Sequence, residues 1–170
     1  MFSGLEALPA GIKLWRGTLQ WLGGIGIVVV AMVFLPELRV GGMQIFRTEG
    51  FETGGKILPR AGEIASRISV IYVAITVACA FTYSAFGMET FDALVHAMTT
   101  VSTGGMANSD ASMAYYGEAV HYSAALFMIL AALPFVRYVQ ILAGTAKPLL
   151  QDTQVHAFLV IIAICVMLIS

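Results

Sequence analysis

The chain has 170 residues, of which 59% are hydrophobic and 11% charged, with a mean hydropathy of +0.87. Soluble domains carry about 25% charged residues, so this composition excludes an ordinary water-soluble fold and places the chain in the membrane class. The net charge of −1, nine basic residues against ten acidic ones, points to no nucleic acid and to no other partner by itself; the uneven placement of those charges carries the topology.

Four apolar stretches follow one another. Trp15 to Leu35 contains Arg16 as its single charge and is closed by Pro36; a helix rising ~1.5 Å per residue needs ~20 such residues to cross ~30 Å of hydrocarbon. Within it, Gly23-Gly24-Ile25-Gly26 has part of a dinucleotide-binding look, but no strand precedes it and the third glycine is missing. Close helix packing through small residues is the better reading. Ile68 to Phe86 carries no charge, begins after Arg67 and stops at Gly87. Val120 to Leu142 is interrupted by Pro134 and Arg137, so its second half is expected to be kinked or to line something polar. Ala157 to Ile169 is too short to span. With no secretory signal ahead of Trp15, the chain is expected to be a piece of a larger membrane protein.

Orientation follows from the basic residues. Residues 37 to 67 hold Arg39, Arg47, Lys56, Arg60 and Arg67, whereas residues 87 to 119 hold no Lys or Arg but do hold Glu89, Asp92, Asp110 and Glu118. The positive-inside rule makes the first loop cytoplasmic and the second outward-facing, with Lys147 back on the cytoplasmic side. Lys13 and Arg16, at the outer end of the first span, run against the rule and are expected to snorkel. Cys79 and Cys165 lie in apolar runs away from any His or acidic cluster, which suits buried free thiols and no metal site.

The outer region contains one short apolar segment, Phe91 to Val101, with Thr90 as the expected N-cap and Asp92 in the first turn. At ~1.5 Å per residue it reaches roughly half of a ~30 Å bilayer, so it can dip in and return but not cross. Its C-terminal end is expected to offer unpaired carbonyls and the negative end of the helix dipole to a cation. There the sequence reads Val101-Ser102-Thr103-Gly104-Gly105. Non-helical backbone at membrane depth is tolerated where protein or water covers it, and a cation filter is the main case in which exposed carbonyls are wanted. Glycine allows positive φ angles that turn successive carbonyls to one axis, and Ser102 and Thr103 can add hydroxyl ligands. One loop supplies only part of a dehydrated cation's oxygens. The alternative is a non-conducting membrane scaffold in which the re-entrant loop only packs helices; four such loops in the complete gene would decide against it.

Remaining groups point to less. His96 is expected to be a packed side chain, and His121 and His156 to be interfacial. Ser102 with His121 would suggest a nucleophile and base, but no oriented third group accompanies them, so no enzyme is expected. Arg137 either stands near an inner vestibule and tunes cation passage or snorkels at the inner end of its span.

The succession Trp21-Leu22-Gly23-Gly24-Ile25-Gly26, Leu35-Pro36, Val40-Gly41-Gly42-Met43-Gln44, Thr100-Val101-Ser102-Thr103-Gly104-Gly105 and Asp110-Ala111-Ser112 resembles the Trk/Ktr/HKT superfamily of potassium transporters, most of all its bacterial TrkH/TrkG type. The resemblance covers essentially the whole chain, with the motifs in the family's order. It implies an all-α integral membrane fold, here a fragment of a four-repeat helix–pore helix–helix potassium-channel-like pore. Residues 1–36 would hold the closing helix of a first repeat and 37–63 a cytoplasmic loop. Residues 64–144 would be the second repeat (outer helix 68–86, pore helix 91–101, filter 101–105, inner helix 120–142), and 145–170 a linker and the start of a third.

The resemblance further implies potassium uptake across the bacterial cytoplasmic membrane, with Gly104 as this repeat's filter glycine and potassium held at Ser102, Thr103 and Gly104. Potassium is then substrate, and no covalently bound cofactor is expected. Implied partners are the remaining repeats, a second copy in a homodimer, membrane lipid and a cytosolic nucleotide-binding regulatory subunit of TrkA type.

Overall fold

The computed structural model describes residues 4–34, 57–142, 144, 149 and 151–169. Among these the α-helices are α1 (Ala10–Phe34), α2 (Ile57–Ala85), α3 (Thr90–Val101), α4 (Glu118–Ala132), α5 (Phe135–Leu142) and α6 (Thr153–Ile169), with 3-10 turns at Leu5–Ala7 and Ser112–Tyr115. Most of the loop predicted over 37–63 lies outside the described residues; from Ile57 onward its end is already helix α2, well ahead of the apolar run. One described helix, over Glu63–Ala85, is long and apolar enough to cross a membrane; the broken pair Glu118–Ala132 and Phe135–Leu142 is a second if read as one span.

The chain divides into two compact units, Met1–Ala132 and Leu133–Ser170. In the first, the short helix α3 is held by α2, α1 and α4. Helix α2 buries Ala65, Ile68, Tyr72, Thr76, Cys79 and Tyr83 on one stripe and leaves Val70, Val73, Val77 and Phe81 exposed on another. Both stripes are apolar, as in a helix whose outer face meets lipid rather than water. Lipid gives helices no hydrophobic reason to associate, so small residues and interhelical hydrogen bonds matter more. Both are present: Trp21 Nε1 donates to Thr76 Oγ1 at 3.0 Å, Tyr72 OH donates to the Trp21 carbonyl at 3.0 Å, and Tyr83 OH lies 2.8 Å from Thr100 Oγ1. Each such bond contributes about 0.6–2 kcal/mol in a membrane.

Helix α2 ends in a Schellman motif. Gly87, at φ 90°, lets its own N–H reach the Ser84 carbonyl and the Met88 N–H reach that of Tyr83, both at 3.1 Å. That turn reverses the chain into α3. Glu89 rather than Thr90 occupies the N-cap, without a side-chain capping bond.

In the second unit, α5 starts immediately after Pro134, whose carbonyl accepts the Arg137 N–H at 2.9 Å. The predicted inner helix 120–142 is thus two helices, broken where proline cannot continue the ladder. Cys79 is buried as expected. Cys165 is exposed, because it lies on α6, whose side chains from Leu159 to Leu168 are mostly open in this chain.

Candidate functional site

Helix α3 forms around an apolar stripe and buries Ala93, Val95, His96, Ala97, Thr99, Thr100 and Val101. Its first turn carries Asp92, favourable at the positive end of the dipole. The Asp92 carboxylate also accepts from Asn108 Nδ2 at 2.8 Å and from Tyr116 OH at 3.1 Å. His96, fully enclosed, places Nδ1 2.7 Å from the Asp92 carbonyl and accepts the Asn108 N–H on Nε2 at 3.2 Å. Those two partners require a neutral ring protonated on Nδ1. The Tyr116 and His96 rings pack nearly perpendicular, 5.3 Å between centroids. His96 is therefore packed and bonded, as expected, and Asn108 and Tyr116 of the loop 106–116 are tied to Asp92 and His96 of α3.

The helix stops at a second Schellman motif, this time with threonine where glycine is usual. Thr103 has φ 56°; its N–H donates to the Thr100 carbonyl at 2.9 Å, and the Gly104 N–H donates to that of Thr99 at 2.9 Å. The Gly105 N–H also reaches the Thr99 carbonyl, at 3.2 Å, and Gly105 has φ 65°. Ser102 Oγ turns back to the Met98 carbonyl at 2.9 Å and that of Thr99 at 3.1 Å. The Thr99 hydroxyl lies 2.7 Å from the Met106 carbonyl and 3.0 Å from that of His96, bracing the chain leaving the loop.

This differs from the sequence expectation in two ways. The last-turn carbonyls of Met98, Thr99 and Thr100 are paired, because the loop folds its own N–H groups onto them. The carbonyls of Val101, Thr103, Gly104 and Gly105 accept no hydrogen bond among the described residues. The loop therefore presents acceptors and no donors. Positive φ falls on Thr103 and Gly105 and not on Gly104. The nearest neighbours of a Cβ at 104 are atoms of the Gln20 side chain, whose far end would have to move aside for one.

Helix α1 backs this arrangement with one stripe. A Cβ on Gly17 would stand 3.0 Å from Val95 Cγ1, and one on Gly24 2.9 Å from Ser102 Cβ and 2.8 Å from Tyr72 OH. Within the Gly23–Gly26 run, the close contact among the described residues falls at Gly24. Arg16 Nη2 lies 3.6 Å from Met106 Sδ and Lys13 Nζ donates to the Glu6 carbonyl at 3.2 Å.

Of the predicted residues, Val101 is buried and ends the helix, Ser102 is half-buried, and Thr103, Gly104 and Gly105 are exposed together. Ser102 and His121 do not meet: His121 Nε2 faces the Met113 carbonyl. Arg137 belongs to the other unit. Its Nε donates to Asp152 Oδ2 at 2.8 Å and its Nη1 to Gln140 Oε1 at 3.1 Å. The side chain is 15% exposed and bonded within its own unit.

Beside the loop, the turn at Leu5–Ala7 is clasped to Ser109 and Asp110. Glu6 Oε1 accepts from Ser109 Oγ at 2.6 Å and the Asp110 N–H at 3.0 Å, and the Asp110 carboxylate accepts the N–H groups of Gly4 and Leu5. These bonds hold both carboxyls below their ordinary values, Glu6 through the Ser109 hydroxyl and then the Asp110 amide, Asp110 through the Gly4 amide and then that of Leu5.

A profile of the family described as TrkH, cation transport protein, matches residues 1–170. The chain belongs to the TrkH family. It is 46% identical over 165 residues to the Trk system potassium uptake protein TrkI of Halomonas elongata, covering 96% of this chain and 34% of that relative. It is 37% identical over 160 residues to the Trk system potassium uptake protein TrkH of Escherichia coli, covering 92% and 33%. The crystal structure of the potassium transporter TrkH from Vibrio parahaemolyticus superposes with a TM-score of 0.75 at 34% identity, over 92% of this chain and 31% of that one. The chain thus spans about a third of the length of these relatives, and its fold is that of an all-α membrane protein fragment.

Residues beside the loop that the sequence reading passed over are Gln20, Asn108, Tyr116 and the Glu6–Asp110 clasp. Gly17, Gln20 and Gly24 are spaced three and four apart, one face of a helix, which was the available signal for the first.

Proposed function

We propose that this chain contributes one segment of a potassium filter to a Trk-type uptake protein in the bacterial cytoplasmic membrane, with Val101 to Gly105 as that segment. The observation that carries the reading is the polarity of the loop. Its N–H groups at 103, 104 and 105 are consumed by the end of α3, while its exposed carbonyls are left without hydrogen-bond partners among the described residues. Such a loop repels anions and offers oxygen dipoles to a cation that has shed water. Potassium, as substrate, would meet oxygens of Ser102, Thr103 and Gly104, and other repeats would supply the rest of the ring. Assembly as a homodimer with a cytosolic nucleotide-binding regulator of TrkA type, and an orientation with residues 37–63 inside, belong to the same proposal.

The test is Gly104→Ser in the full-length protein. Potassium uptake is measured with sodium in competition and normalised to protein in the membrane. The expected result is a fall in potassium preference at near-normal abundance, since no helix is altered. Unchanged preference at normal abundance removes Gly104 from the filter and leaves the scaffold reading.

A further inference from the structure

The chain leaving the loop is moored to α3 at two points. Thr99 Oγ1 holds the Met106 carbonyl at 2.7 Å, and His96 Nε2 accepts the Asn108 N–H at 3.2 Å. The second mooring depends on a count of protons. Nδ1 needs the ring's one proton to bond the Asp92 carbonyl at 2.7 Å, which leaves Nε2 as the acceptor. An imidazolium would turn an N–H against the Asn108 N–H, and both residues are enclosed, His96 fully and Asn108 with 6% exposed. A second proton therefore enters only when Asn108 leaves. The surroundings do not replace the lost bond. Asp92 draws a proton towards the ring and Lys13 on α1 opposes it, but both Asp92 carboxylate oxygens already accept, from Asn108 Nδ2 and from Tyr116 OH. The buried stripes of α2 and α4 bring no charged side chain, and the thiol and phenol groups of Cys79, Tyr72 and Tyr83 are neutral around pH ~5–8. His121 on α4 faces the Met113 carbonyl, a bond that a proton on that ring retains. On the far side of Asn108, Glu6 holds Ser109 and the Asp110 N–H.

We propose that His96 is a positioning residue that makes the exit of the loop sensitive to protons: a second proton on its ring releases Asn108 from α3 and slackens the chain from Gly105 to Asn108, while Glu6 keeps Ser109 and Asp110 in place. This rests on the filter reading above, and it adds a tether outside the filter whose hold depends on pH. With Asn108 bound, the ring carries one proton. With Asn108 released, it is an ordinary histidine that takes a second near pH ~6.5. The released form binds more protons, so release is favoured as pH falls, from about 6.5 downward and by at most about tenfold per pH unit. The slack falls on the loop side, where the Gly105 carbonyl accepts no hydrogen bond among the described residues, so potassium preference weakens on acidification.

The experiment compares the full-length protein with its His96→Gln variant, which offers an amide oxygen as acceptor and does not titrate. Two readings are taken between about pH 7.5 and about pH 5.5: amide exchange over residues 106–110 in the purified protein, corrected for intrinsic rates, and the potassium-over-sodium preference of uptake per molecule in the membrane. On acidification the wild-type exchange is expected to rise, by at most about tenfold, and its preference to fall several-fold. Gly4 and Leu5 stay flat, and His96→Gln is flat in both readings. Wild-type exchange that does not change, or a His96→Gln protein as pH-dependent as wild type, overturns the tether. Exchange that responds to pH at constant preference overturns its link to the loop and leaves the filter reading standing. A protein without potassium preference at any pH overturns the filter reading itself. Should His96→Gln fail to accumulate, His121→Gln decides: a pH response that persists supports His96, and one that vanishes overturns it.

Discussion

Thr99→Val replaces a hydroxyl by a methyl of nearly the same shape at the point where α3 grips the chain leaving the loop. The side chain is 3% exposed, so the substitution is a clean removal of one bond and makes no cavity. What is lost is the one hydroxyl proton shared between the Met106 carbonyl at 2.7 Å and the His96 carbonyl at 3.0 Å. What remains is the Thr99 carbonyl, still accepting from Gly104 and Gly105. Met106 is open enough for its carbonyl to be hydrated, so the loss is that of an ordinary hydrogen bond, about 1 kcal/mol, or about a fivefold shift between a braced and a loosened loop. Abundance in the membrane should stay near wild type, and potassium preference over sodium should fall by up to that factor. Thr99→Ser, which keeps the hydroxyl, should stay close to wild type. Competitive uptake in a potassium-uptake-deficient host measures all three. Equal preference in Val and Thr, or a Ser variant as impaired as Val, would refute the brace.

Thr103→Gly should raise thermal stability of the purified full-length protein, because a β-branched residue at φ 56° carries about 1–2 kcal/mol of strain that exceeds the roughly 0.5–1 kcal/mol entropic cost of glycine; a lower melting temperature refutes the strain. Asp92→Asn sets an amide donor against Asn108 and weakens two bonds to a charged acceptor, each worth about 1.5–3 kcal/mol, so proteolysis within residues 106–116 should accelerate, with Tyr116→Phe intermediate. Glu6 and Asp110 titrate below their ordinary values of 4.5 and 3.8. Their clasp is therefore fully present above those values and is lost only as pH falls through the lowered ones. Amide exchange at Gly4 and Leu5 should be flat from neutral pH down to the ordinary carboxylate range once corrected for intrinsic rates, and loosening already near pH 6 would contradict the assignment. Cysteine placed at Lys56 should resist membrane-impermeant reagents in intact cells; labelling would invert the topology.

The parts of this architecture legible in the sequence are those written in short-range pattern. The apolar run from Ile68, the Gly87 stop and the short acidic-started helix from Phe91 to Val101 are each decided by residues within a turn or two. Pro134 likewise announced the break between α4 and α5. The extension of α2 back to Ile57 was hidden because Arg60, Glu63 and Arg67 read as loop polarity, while on a helix Glu63 and Arg67 pair at 2.8 Å one turn apart. Long-range pairings were not legible at all. Nothing local says that Asp92 will meet Tyr116, that Arg137 will meet Asp152, or that the Glu6 turn will clasp Asp110.

The glycines of the loop make the same point more sharply. A sequence offers Gly104 and Gly105 as one feature, and the natural inference is that both supply unusual backbone angles. In the folded chain the two do different work, and a threonine shares it. Thr103 and Gly105 take the left-handed angles, whereas Gly104 does not and instead has the Gln20 side chain of α1 beside it. The angles are local and can be read from residue type. The neighbour is not: it is there because Gly17 and Gly24 bring α1 against Val95 and Ser102, far away in sequence. A side chain at 104 would meet the movable end of Gln20 first. The loop's response to substitution is thus a property of the α1–α3 contact as much as of the five residues that carry the carbonyls.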